Sequence, residues 1–313
     1  MRDMFWEPER IVYAYRQLPE RIPKRLWAVL QDAFSVPKLA PFLYFHVSAL
    51  GAETDFPLHG EPKPRPIINS PADLDKLREP DDYLTAGIMP ERLKVAEEVA
   101  RLWGGVTAMD CIGGDFAPEG PITTAMLLAG QQFLLWPYDH PEAAHRLLDF
   151  CARSAANYRR QINISRGGSG VSPSGGIKDD FAGILPPKQF EEFVLPYWEQ
   201  LYTAMGAQRR SLHSELIRPE HLPLLARVKL AVFDPGADQY LTPEQLKAAC
   251  PCAFRLRFLS WHLRDNTAEQ LQAMYRRYAT FEPYLIQFGI EMLSHEEKFL
   301  ALLEVARELN GET

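Results

Sequence analysis

RRSLHSELIRPEHL, residues 209–222, is a short run of strand character that ends in polar residues and passes into a helix start. His213 and Glu215 stand two apart at its end, and residues i and i+2 of a strand point to the same face. An imidazole and a carboxylate aimed side by side from a strand end either bind something or form a hydrogen-bonded pair in a crowded core. The same pattern recurs on both sides of this stretch. GGVTAMDCIGG leads into GPITTAMLLAGQQFLLW, GVSPSGGIKDD into PPKQFEEFVLPYWEQLYTAMG, and LAVFDPG into TPEQLKAACP. AFRLRFLSW then leads into TAEQLQAMYRRYA, and YLIQFGIEML into SHEEKFLALLEVARELN. Thr242-Pro-Glu-Gln and Ser294-His-Glu-Glu each offer a hydroxyl N-cap with Gln or Glu three residues on.

Strand-then-helix alternation at this spacing means βα units and a parallel sheet. Six units lie in the last two-thirds of the chain, with room for two more before residue 100. The count predicts one α/β domain over residues 1–313, a single (β/α)8 TIM barrel with an N-terminal helical extension. A doubly wound sheet is the alternative, but the chain carries no GxGxxG turn and no P-loop.

The 313 residues are 46% hydrophobic, enough for a large core, and carry a formal net charge of -7. That acidic balance, without a basic run, argues against unspecific nucleic-acid binding. No run reaches the length of a signal peptide or a membrane span, so a cytoplasmic protein is expected, with Cys111, Cys151, Cys250 and Cys252 as free thiols.

In a barrel of this kind, the C-terminal strand ends form the active-site face. Asp110, Asp179, Asp180, His213, Glu215, Asp234, Trp261, His262 and Glu291 stand at those ends. His262 is a candidate general acid–base group or substrate contact, or else a surface histidine. Asp110 either binds a cationic or hydroxylated substrate group or bonds the backbone of the following Gly-Gly turn. Asp179 and Asp180 read first as caps, and Asp234 before Pro-Gly as turn chemistry. Trp261 offers an apolar wall for a flat ligand, and Gln287 shares the strand parity of Glu291 and can look inward with it. Cys250-Pro-Cys252 lies at the strand entrance, the wrong end for chemistry. His140, His145, His221 and His295 read as solvated.

Several stretches in order resemble the uroporphyrinogen decarboxylase superfamily, which includes corrinoid-linked methyltransferases. They are ERIVYAYRQLPERIP, PIINSPADLDKLREPD, GPITTAMLLAG, LPPKQFEEFVLPYWEQL, LHSEL and FGIEML. The resemblance spans nearly the whole chain and implies a (β/α)8 barrel, often a homodimer. In the decarboxylase branch, an Arg-rich N-terminal loop and an Asp ahead of a Leu-Gly serve carboxylated tetrapyrroles. Here APFLYFHVSALG offers His46 and no Asp, and YRQLPER holds Arg16 and Arg21 without the full signature.

In the methyltransferase branch, His-x-Cys and a later Cys hold zinc. His213 keeps the first position, Glu215 stands for one Cys, and Glu291 lies where the Gly-Cys is expected. The resemblance thus implies a divalent metal, zinc first, on His213, Glu215 and Glu291. It also implies methyl transfer to or from a corrinoid supplied by a partner protein, with a small-molecule donor or acceptor. Carboxylates in place of thiolates make such a site harder and more Lewis-acidic. A lyase acting on a carboxylated tetrapyrrole is the alternative, and would need cations in the mouth, with Arg16, Arg21, Arg255 and Arg257 as candidates. A non-catalytic member is the third reading.

Overall fold

The structure, a computed structural model, describes residues 3–112, 118–237 and 240–311. Five parallel strands form its sheet in sequence order: β3 (Ser174–Lys178), β4 (Arg209–His213), β5 (Val232–Asp234), β6 (Ala253–Arg257) and β7 (Leu285–Gln287). A small antiparallel pair, β1 (Thr54–Asp55) with β2 (Lys63–Pro64), stands apart from it. Helices follow β3 to β7, as the alternation predicts: Leu195–Ala204 after β3, Pro243–Ala249 after β5, Ala268–Ala279 after β6 and Glu296–Asn310 after β7.

The expected ring of eight is not closed by hydrogen bonds among the described residues. Beyond β3, one parallel bridge from Glu119 to Lys178 marks where a further strand would lie. The strand expected within GGVTAMDCIGG is instead a short helix, Ala108–Cys111. Its Thr107-x-x-Asp110 run closes a capping box, and two reciprocal bonds at a helix start outweigh the β-propensity of three apolar residues. Thr242 caps its helix as expected, through Gln245 N. Ser294 does not; the helix begins at Glu296 after a 3-10 turn, Leu293–His295.

Period two sorts the strand residues. Ile177, Leu212, Phe233, Phe254 and Leu256 are buried in the core shared with Trp198, Leu201, Leu222 and Leu225. Their neighbours on the opposite face are Gly176 and Lys178, Ser211 and His213, Val232 and Asp234, Arg255 and Arg257. Barrel interiors are usually filled by layers of Val, Ile and Leu. Here that row is polar and leaves a cavity. A second core, around Phe258, Leu263, Leu271, Tyr275 and Leu302, holds the last two helices.

Among the described residues no helix is long and apolar enough to cross a membrane. The four cysteines are free, with Cys250 and Cys252 Sγ atoms 3.7 Å apart at the entrance of β6. His221, expected to be solvated, is buried. Its Nδ1 accepts from Arg218 N, and its Nε2 lies 3.0 Å from Leu185 O.

Candidate functional site

Parallel register brings the ends of β3 to β6 to one level. His213 pairs with Lys178 on one side and with Asp234 on the other. The loops behind them are stitched by Asp179 N donating to His213 O, Ser214 N to Asp234 O, and Ser214 Oγ to Asp179 O. Above this level lies a cavity of about 460 Å³, lined by Asp180, His213, Asp234, Arg255 and Arg257 among others. Glu119, Lys178 and Arg159 also line it. That volume is within the range of small-molecule sites.

His213 is the hub. Its Nδ1 lies 3.2 Å from Asp234 Oδ2, and its Nε2 lies 3.5 Å from Asp180 Oδ1 and 3.9 Å from Glu215 Oε1. Asp234 is buried and is gripped by Arg257, whose Nε donates at 3.0 Å and whose Nη2 reaches the other oxygen; Arg255 Nη1 is 3.6 Å away. Burial alone would raise the Asp234 carboxyl, but the bonds from His213 and Arg257 outweigh it and hold the group far below the ordinary carboxylate range. A carboxylate fixed in this way holds the imidazole by Nδ1 and leaves Nε2 facing Asp180. Asp180 is the opposite case. Burial raises its carboxyl, and Glu215 adds to this, against the attraction of His213. Asp180 Oδ1 and Arg255 Nε are both buried without a hydrogen bond.

Gly236 lets this cluster form. It sits at φ +64°, and a Cβ there would come within 2.6 Å of Glu215 Cγ and 2.7 Å of His213 Cε1. The Asp234-Pro-Gly turn also supplies Gly236 N to Asp234 Oδ1 and Ala237 N to Glu215 Oε1. The stretch read as turn chemistry is therefore both turn and site.

The expected site residues separate into groups. His213 and Glu215 are together. Trp261, Gln287 and Glu291 line an adjoining cavity of about 390 Å³, which shares Arg257 with the first. His262 lies in the helix Ser260–Asp265, where its Nδ1 accepts from Leu259 N, and burial lowers its pKa. Asp110 binds Thr107 N and Oγ1, so its carboxylate is a helix cap rather than part of the cavity. Asp179 is a cap too: its buried carboxylate accepts from Ile122 N, Thr123 N and Trp198 Nε1.

Asp180 and Asp234 carried no signal in the sequence beyond their place at strand ends. Arg255 and Arg257 were legible as a pair of equal parity, and the structure turns them inward. Arg16 is elsewhere, bonded to Leu102 O. Among the described residues, no group of three or more His, Cys, Asp or Glu side chains is disposed to hold a metal ion. Of the expected set, His213 lines the first cavity and Glu291 the second, because Glu291 follows β7 while His213 ends β4; Glu215 lies 3.9 Å from His213 Nε2. These residues do not fit the metal as arranged.

The comparisons with known proteins agree on the fold. The chain is 27% identical over 206 residues to a uroporphyrinogen decarboxylase of Azotobacter vinelandii, covering 62% of this chain and 50% of that protein. A uroporphyrinogen decarboxylase of Pseudomonas putida is 24% identical over 191 residues, with 59% and 48% covered. The chain thus spans about half the length of the curated relatives it matches. A solved methyltransferase from Methanosarcina mazei superposes with a TM-score of 0.68 at 16% identity, covering 98% of this chain and 87% of that one. The family model for uroporphyrinogen decarboxylase matches residues 40–252, which include β3 to β5 and stop just short of Arg255 and Arg257. The chain belongs to the uroporphyrinogen decarboxylase family.

Proposed function

We propose that this protein is an acid–base enzyme that removes carbon dioxide from a small, carboxylate-bearing, unsaturated substrate. The observation that carries this reading is the pairing of Arg255 and Arg257 with an oriented imidazole, His213, in one cavity. Guanidinium groups suit carboxylates in geometry and charge. Arg255, part-exposed in the cavity and not hydrogen-bonded to Asp234, is the anchor for the substrate anion. Arg257 shares its charge with Asp234 and so also sets the imidazole.

In the reaction the bond from carbon to the departing carboxylate breaks, and its electron pair passes into the substrate's own unsaturation. Carbon dioxide leaves, and the proton on His213 Nε2 goes to the carbon left behind. Asp180, whose carboxyl burial raises above its ordinary range, is placed 3.5 Å from Nε2 to pass a proton from solvent back to the imidazole.

Calorimetric titration with small unsaturated di- and tricarboxylates, and carbon dioxide release with deuterium exchange into the carbon that loses it in D2O, test the reading. Arg255→Ala is expected to weaken carboxylate binding by about tenfold or more. His213→Gln is expected to keep binding and lose the exchange. Carboxylate binding unchanged in Arg255→Ala would sink the reading.

The alternative is the metal-dependent methyl transfer with a corrinoid protein that the resemblance implies. What favours it is the unbonded Asp180 Oδ1 beside His213 Nε2, although these side chains are not disposed to hold a metal ion together. Near-stoichiometric zinc in protein purified without chelator, lost in His213→Ala, would put that reading first.

A further inference from the structure

A third cavity, of about 690 Å³, opens beside the charged one. It is built from residues of the N-terminal 62 positions. Phe5 and Tyr15 come from the first helices, Leu39, Leu43 and Tyr44 from the segment after them, and Pro62 from the β1–β2 hairpin. Only Lys38 and Glu61 bring charge to its lining. Leu43 lines both this cavity and the charged one. Tyr44 lies at the same junction. Burial raises its hydroxyl pKa, and so do the negative charges of Glu119 and Asp180 on one side and Glu61 on the other.

We infer that the substrate is amphiphilic, a carboxylate that sits on Arg255 and Arg257 joined to an aryl or alkyl group that passes Leu43 into the apolar cavity. The inference rests on the carboxylate reading above and adds the class of the rest of the molecule. The charged cavity is lined by ions that an apolar group would desolvate at a cost, whereas the adjoining one offers aromatic and aliphatic walls at no such cost. Leu43, an exposed side chain that lines both, stands at the border the aryl or alkyl group would cross. A purely polar oligocarboxylate would leave the apolar walls wet.

The test uses the full chain and a homologous series of ω-phenylalkanoates, from phenylacetate to 8-phenyloctanoate, with succinate and glutarate as polar references. Affinity is expected to stay level for the short acids and then to rise by about fourfold per added methylene once the chain passes Leu43. Leu43→Glu places a charge at the junction, and Ala40→Phe narrows the cavity without charge. Both are expected to flatten the rise, with urea midpoints measured alongside to show that the variants are folded. No rise in the parent, or a rise kept in both folded variants, overturns the inference. Arg255→Ala separates it from the reading it rests on. If that variant binds every acid as the parent does, the carboxylate site itself has failed. If it weakens all acids while the parent shows no dependence on length, only the amphiphilic substrate has failed.

Discussion

Gly236 is the residue on which the site geometry turns. Its φ of +64° and the space it leaves for Glu215 and His213 are separate demands, and only glycine meets both. Gly236→Ala is expected to cost about 1–2 kcal/mol through the left-handed backbone alone. The added methyl also pushes on the imidazole. A displacement near 1 Å is expected to lower turnover on the order of a hundredfold. Thermal unfolding and deuterium exchange, measured together, separate the two effects. An exchange rate equal to the parent's would show that His213 does not depend on this contact.

His213 gains its direction from Asp234, and Asp234 is kept ionised by Arg257. Asp234→Asn keeps the shape but removes the charge opposite the imidazole. Turnover is expected to fall with little change in substrate affinity, since Arg255 remains.

At the scale of elements, Asp179 joins three of them. It leaves β3 and receives the N-terminus of the helix Pro121–Ala129 and the indole of Trp198 from the helix Leu195–Ala204. Gly120 allows the approach, since a Cβ there would lie 2.4 Å from the Asp179 side chain. Asp179→Ala leaves three buried donors without a partner. The expected loss is about 3 kcal/mol or more in urea unfolding, and a loss under about 1 kcal/mol would contradict the assignment. The same element-scale view explains Asp110. A Thr-x-x-Asp run reads as the end of a strand by composition, but the capping box it closes makes a helix.

For the whole molecule, the dependence of stability on pH brings two buried groups into opposition. His46 is buried, its Nε2 3.0 Å from Ser154 Oγ, and desolvation lowers its pKa from 6.5 to about 3. The unfolded chain therefore takes up a proton first as pH falls below 6.5, and stability contributed above that value is lost down to about pH 3. Asp179 has the reverse sign. Its burial raises the carboxyl from 3.8 to about 6, so the stability present below 3.8 is lost as pH rises through about 6. Between these limits the two partly cancel.

A comparison of the parent with His46→Gln isolates the first. From pH 7.5 to 5.0 the parent is expected to lose about 2 kcal/mol more than the variant. Equal losses would mean that His46 takes up its proton as readily in the folded state as in the unfolded chain.

The sequence by itself determined the local order of the chain. Strand and helix alternation, the Thr242 cap and the alternation that sets Arg255 and Arg257 on one side of β6 all follow from short-range periodicity and backbone bonding. The order of the family stretches was legible for the same reason. Only the tertiary structure decided which strand ends share a cavity. His213 meets Asp180 and Asp234 because β3, β4 and β5 pair in a particular parallel register, and register is a relation between segments about 20–35 residues apart. The same pairing separates Glu291 from His213, and among the described residues it does not close a ring. Tertiary packing also places Leu43 at the border of a charged cavity and an apolar one. No local pattern encodes that juxtaposition, since it arises from packing between parts of the chain more than a hundred residues apart.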